Sequence, residues 1–111
     1  MIEALILTHL NSQLTEPVFL EKPETTPKRY VLFEKTGSGR SNRLLSSSFA
    51  FQSYAESLYE AVALNEKLKV AVDSLIYLDE IGSVKLNSDY NFTDTVNKKY
   101  RYQAVYDIKH Y

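Results

Sequence analysis

The stretch Ser53–Tyr111 constrains this chain most, reading SYAESLYEAVALNEKLKVAVDSL, then SVKLNSDYNFTDT, then YRYQAVYDIKHY. The first piece repeats its apolar residues at helical spacing, and the other two alternate with period two. One amphipathic helix followed by two alternating strands must bury a face of each against a shared core, which selects helix-on-sheet architectures. In the last strand Tyr100, Tyr102, Ala104, Tyr106 and Ile108 alternate with Arg101, Gln103, Val105, Asp107 and Lys109. Aromatic residues suit a half-buried pleated surface. The tyrosine face is therefore expected to be core, with only its ends free for contact.

Upstream, Met1–Leu14 reads as a helix with Ile2, Leu5, Ile6, Leu10 and Leu14 on one broad face. Pro17 closes it, because the residue before a proline leaves the helical region. Val18–Glu21 is a short strand, and Pro23–Pro27 is a rigid connector. Arg29–Lys35 reads as an interior strand, apolar on both faces at its middle. Thr36–Ser48, TGSGRSNRLLSSS, reads as a long irregular loop. Phe49–Tyr54 is a third strand, and a second helix runs over about Ser57–Tyr77. Ser57 with Glu60 fits a capping box at its start, and Ser53 with Glu56 is a rival one turn earlier. Gly82 ends the connection to Ser83–Phe92 and Tyr100–Tyr111, two strands around the polar loop Thr95–Lys99. The order α-β-β-β-α-β-β, with one helical crossover, predicts a single α+β domain over 1–111. Its sheet is expected to be mostly antiparallel, with two helices packed on one face.

Thirteen basic against fourteen acidic residues give a net charge of -1. That removes a global electrostatic case for nucleic acid and leaves room for a local basic patch. The absence of cysteine excludes disulfides, thiolate catalysis and sulfur-ligated zinc. Met1–Leu14 carries Glu3 and His9, lacks a basic flank and a small-residue cleavage site, and is too short to span a bilayer. The expectation is a chain made in the cytoplasm, with no membrane partner.

His9 and His110 lie at opposite ends of the sequence. His9 reads as a partly buried structural residue and His110 as a solvated one. The GSGR run at Gly37–Arg40 lacks the ending of a phosphate loop. Asp89 and Asp94 read as solvated strand-end charges without metal-ligand spacing. No catalytic, cofactor-binding or metal-binding residue is assigned, and no enzyme activity is expected.

The second helix is more informative. Leu58, Ala61, Val62, Leu68, Val72, Leu75 and Ile76 form its apolar stripe, with Asn65 in the middle. A buried amide left unpaired costs about 1–3 kcal/mol, so Asn65 should hydrogen-bond to backbone or to a partner strand. Opposite lie Tyr59, Ala63, Val70 and Tyr77, a ridge in register that is the first candidate interface, since tyrosine is enriched in contacts. Arg40 and Arg43 in the glycine- and serine-rich stretch are the second, expected to become ordered on meeting a partner. The set Lys98, Lys99, Tyr100, Arg101 and Tyr102 has the composition of a nucleic-acid stacking platform.

Three segments resemble the tail-completion, or tail-terminator, family of long-tailed bacteriophages (siphoviruses and prophages). They are MIEALILTHLNSQL with PVFLEKP, RYVLFEKTGSGRSN, and the tract from SYAESLYEA through LNSDYNFTDT to YRYQAVYDI. The resemblance implies a small α+β structural subunit of the virion. Such subunits form a hexameric ring on the head-proximal end of the tail tube, end tail polymerisation and offer a surface for head–tail joining. The implied partners are other copies of the chain, the major tail tube protein and a head–tail connector. No cofactor is implied. A head-completion or connector protein is the nearest alternative reading, and a small nucleic-acid-binding α+β module is one of a different class.

Overall fold

The computed structural model describes residues 1–41 and 43–111. In chain order the elements are α1 (Ile2–Gln13), β1 (Val18–Phe19), β2 (Tyr30–Ser41), β3 (Leu44–Ala55) and α2 (Leu58–Asp73). A 3-10 turn over Ser74–Tyr77 follows, then β4 (Ile81–Asn91) and β5 (Tyr100–His110). The strands form one sheet in the order β1-β2-β3-β5-β4. Every pairing is antiparallel except β1 with β2. The fold is α+β with a mostly antiparallel sheet.

Both helices cover one face. Val31, Phe33, Phe49, Phe51, Ala104, Tyr106 and Ile108 point into it, and Ile6, Leu10, Leu64, Leu68 and Val72 close over them. Lys35, in line with Val31 and Phe33, reaches Glu3 of α1 at 3.6 Å. The Tyr106 hydroxyl donates to the Lys69 carbonyl and to Asp73 on α2. Tyr106 is thus core, and burial with the nearby Asp73 carboxylate raises its phenol above the ordinary range. Tyr100 and Tyr102, the ends of the same alternation, are half-buried as expected.

Asn11 fixes the junction after α1. Its amide donates to the Val18 carbonyl and accepts from the Val18 N–H, at 3.2 and 3.1 Å. Val18–Glu21 is shortened to two paired residues. Beyond Phe19 the linker leaves the sheet edge, and its prolines supply no N–H for pairing.

Several expectations are corrected. Thr36–Ser48 is not a loop: Gly37 pairs with Ser48, Ser38 with Ser47, Gly39 with Ser46, Arg40 with Leu45 and Ser41 with Leu44. Of that stretch only Asn42 lies outside the described residues. The glycines sit in extended backbone, with no positive φ, so they belong to a strand and not to a turn. Arg40 therefore lies in a strand, and Arg43 in the turn that joins β2 to β3. Gly82 lies within β4 and does not end a connection. The buried stripe of α2 includes Leu64 and Ala71, while Leu58 and Ile76 are more than one-third exposed. The stripe is rotated toward Leu64 and Ala71, the side that packs on β3 and β5. His110 is buried, with Nε2 3.0 Å from the Ser47 hydroxyl, because β5 continues in register beside β3 as far as Leu45. Asp89 is half-buried: Lys69 approaches it at 2.8 Å and Asn65 donates to it at 3.0 Å.

Candidate assembly surfaces

The α2 ridge starts from its cap. Ser57, in extended backbone, accepts the Glu60 N–H at 3.2 Å. The Glu60 carboxylate turns to Arg29 at 3.2 Å, which ties the helix start to the linker before β2. From that fixed origin, Tyr59, Ala63 and Val70 fall within about 40° of one another around the helix, given 100° per residue. All three are exposed, Tyr59 at 78% and Val70 at 72%. Tyr77 is exposed too. It lies on the 3-10 turn, whose wider angular step carries it off the straight line of the other three.

Beside the ridge runs a groove of ≈ 330 Å³ where the end of α1 meets α2, lined by Gln13, Leu14, Thr15, Lys67, Val70 and Ala71. Lys67 bridges it to Glu16 at 2.6 Å. Burial pushes the Glu16 carboxyl up, and hydrogen bonds from Lys67, its own backbone and Thr15 outweigh this and hold it below its ordinary range. Val70 belongs to both groove and ridge, so the apolar surface is continuous around it.

Arg40, which pairs with Leu45, and Arg43 occupy the far end of the β2–β3 hairpin, roughly 30–40 Å from Ala55 at strand rise. Arg40 borders a cleft of ≈ 400 Å³ with Lys35, Ser38, Leu45, Ser47 and His110. Arg43 takes left-handed backbone, φ 71°, which closes the hairpin. The structure does not bring these arginines to the α2 ridge. They sit at the opposite end of the sheet from Tyr59.

The two histidines each meet a serine. His9 Nε2 lies 2.7 Å from the Ser74 hydroxyl, and that hydroxyl donates to the Ala71 carbonyl at 2.6 Å. The hydroxyl proton is committed to the carbonyl, so the imidazole is the donor and not a base toward Ser74. The Ser47–His110 pair is buried on both sides. Among the described residues no group of three or more His, Asp or Glu side chains is placed to hold a metal ion. No helix among them is long and apolar enough to cross a membrane.

The uncovered face of the sheet holds a surface that reading single strands missed. A row of rings and one guanidinium crosses it: Phe19, Tyr30, Tyr54, Arg101 and Phe92. Tyr30 and Tyr54 stack at 4.6 Å, and Arg101 lies 5.7 Å from the Tyr54 ring and 4.4 Å from the Phe92 ring. A polar ladder continues it. Tyr54 donates to Gln52, Gln52 to Gln103 and Gln103 to Tyr90. The signal was the paired glutamines at alternating positions, but it becomes readable only once Gln52 is known to face Gln103.

No family model matches this chain, and no curated protein is significantly similar to it.

Proposed function

We propose that this chain is a structural protein of phage assembly, a tail terminator whose copies form a ring on the head-proximal end of the tail tube. The observation that carries the reading is the exposed ridge of Tyr59, Ala63 and Val70, continuous with the groove at Val70 and mounted on a capped, core-anchored helix. Contact residues on a rigid element fit a subunit that must repeat one geometry around a ring. The hairpin carrying Arg40 and Arg43 gives a second, distant contact point, as a subunit with neighbours on two sides requires. The family resemblance supplies the location, the tail tube and the connector as partners.

Tail tubes assembled with and without the protein test the reading. Tubes that stop at a defined length and carry a terminal ring by negative-stain microscopy are the expected result. Tubes of unchanged length would overturn the terminator role. A ring that binds the head connector but leaves tube length unchanged would move the protein to the connector station.

A further inference from the structure

Three surfaces compete for an unassigned role: the groove beside Val70, the apolar cleft around Met1 and Tyr111, and the cationic end of the uncovered sheet face. The third is carried furthest by charge. The linker between β1 and β2 folds back over this face, placing Lys22 beside Leu32 and Gln52, and Thr26 and Lys28 beside Tyr30 and Tyr54. The β4–β5 turn brings Lys98 and Lys99 to the same place, around a cleft of ≈ 160 Å³. Lys98 is held there in left-handed backbone, φ 54°.

Three nearby carboxylates are engaged elsewhere, while Glu21 and Glu34 line the adjoining cleft with Lys22 and form no ion pair with it among the described residues. Glu56 and Glu60 pair with Arg29, and Asp94 accepts the Val96 and Asn97 N–H groups and the Asn97 amide within its own turn. Among the described residues, no ion pair involves Lys22, Lys28, Lys98 or Lys99. Lys22 and Lys99 lie close enough that contact with Lys99 lowers the Lys22 ammonium below its ordinary range. Lys28, Lys98 and Lys99 thus line one cleft, and Lys22 meets Lys99 from the adjoining one, at one end of a sheet in a chain whose net charge is -1.

We propose that this cleft docks a carboxylate-rich polypeptide segment, held by the ammonium groups of Lys22, Lys28, Lys98 and Lys99. A nucleic-acid strand fits it less well. Tyr54 has Tyr30 against one side and Arg101 against the other, so it offers no free face for a base. Arg101 is committed as well, donating to the Phe92 carbonyl and the Tyr54 hydroxyl. What remains free is compact positive charge, which recognises carboxylates without needing a planar fork. The proposal stands on this charge arrangement and does not depend on the ring.

Fluorescence anisotropy with a labelled peptide of alternating Glu and Gly tests it, against a Gln–Gly peptide of equal length and a single-stranded oligonucleotide. The acidic peptide should bind, the Gln–Gly peptide should not, and added salt should weaken the complex. The Lys22→Gln/Lys28→Gln/Lys99→Gln variant should lose about tenfold or more in affinity. Lys109→Gln, elsewhere on the surface, should bind as wild type. These lysines are exposed, so the triple variant is expected to melt like wild type, and a melting curve checks this. Equal binding by the triple variant, or tighter binding of the oligonucleotide at the same salt, would overturn the proposal. So would loss of self-association in the triple variant without loss of peptide binding, which would assign the cleft to a second copy.

Discussion

Asn65 and Asp89 form the contact on which single substitutions should tell most. Asn65 is buried, donates to Asp89 and leaves its own Oδ1 without a partner. Lys69 holds the Asp89 carboxyl below its ordinary range against the opposing effect of burial, and Asn65 adds to this. Asn65→Asp would set a buried carboxylate against this one, and a loss of about 3 kcal/mol is expected at neutral pH. Asn65→Leu removes the orphaned oxygen together with the bond, so urea denaturation should find it clearly less damaging than Asn65→Asp. The reverse ranking would mean that Asn65 is not buried against Asp89. Ser53 is a simpler case, with a buried hydroxyl that has no partner. Ser53→Ala should leave stability unchanged or raise it by up to about 1 kcal/mol, whereas a satisfied hydroxyl would give a loss.

At the scale of elements, the hairpin rests on backbone geometry and the Arg29–Glu56 tie on charge. Arg43 closes the hairpin at positive φ, where only glycine is free of strain. Arg43→Gly should raise stability by a few tenths to about 1 kcal/mol, and Arg43→Val should lower it by about 1–2 kcal/mol. Arg40→Val, in an ordinary strand position, should cost less than Arg43→Val in the same thermal melts. The Arg29–Glu56 pair is exposed and should weaken with salt. Hydrogen bonding to Arg29 holds the Glu56 carboxyl down at about 2, against an ordinary 4.5. A depressed carboxyl contributes stability that is present above the ordinary value and is lost as pH falls through the folded one. Wild type should therefore lose more melting temperature than Glu56→Gln between about pH 4.5 and 2. Parallel curves would mean the pair contributes nothing.

The whole molecule presents three separated surfaces: the α2 ridge with its groove, the hairpin end, and the lysine-rimmed cleft. Val70→Glu tests the first. Because Val70 is exposed, the monomer should fold as wild type, while a charge forced out of water in a contact should weaken assembly about tenfold or more. Size-exclusion light scattering across concentration reads this out. An assembly curve identical to wild type would reduce the ridge to ordinary surface.

Much of this architecture was legible because periodicity reports which side of an element is buried. The two helices and five strands follow from spacing, as does Asn65 in the apolar stripe of α2, and the mostly antiparallel α+β arrangement follows from their order. The bounds of β1, β2 and β3 do not follow from spacing. The exposure of Tyr59, Ala63 and Val70 follows from the same wheel. What periodicity lacks is register. The serine and glycine run of Thr36–Ser48 has no apolar alternation, and it becomes strand because β5 lies beside β3 in register to Leu45 and β2 pairs along the same length. The burial of His110 has the same origin. The lysine cleft required the linker to fold over the uncovered face and meet a turn more than seventy residues away in sequence. Local propensity acts within a few residues, while charges gathered from distant segments depend on the closed sheet. Periodic apolar spacing thus set the helices and the core faces of the apolar strands, whereas pairing across the closed sheet set the strand lengths, the burial of polar residues such as His110 and the company that exposed residues keep.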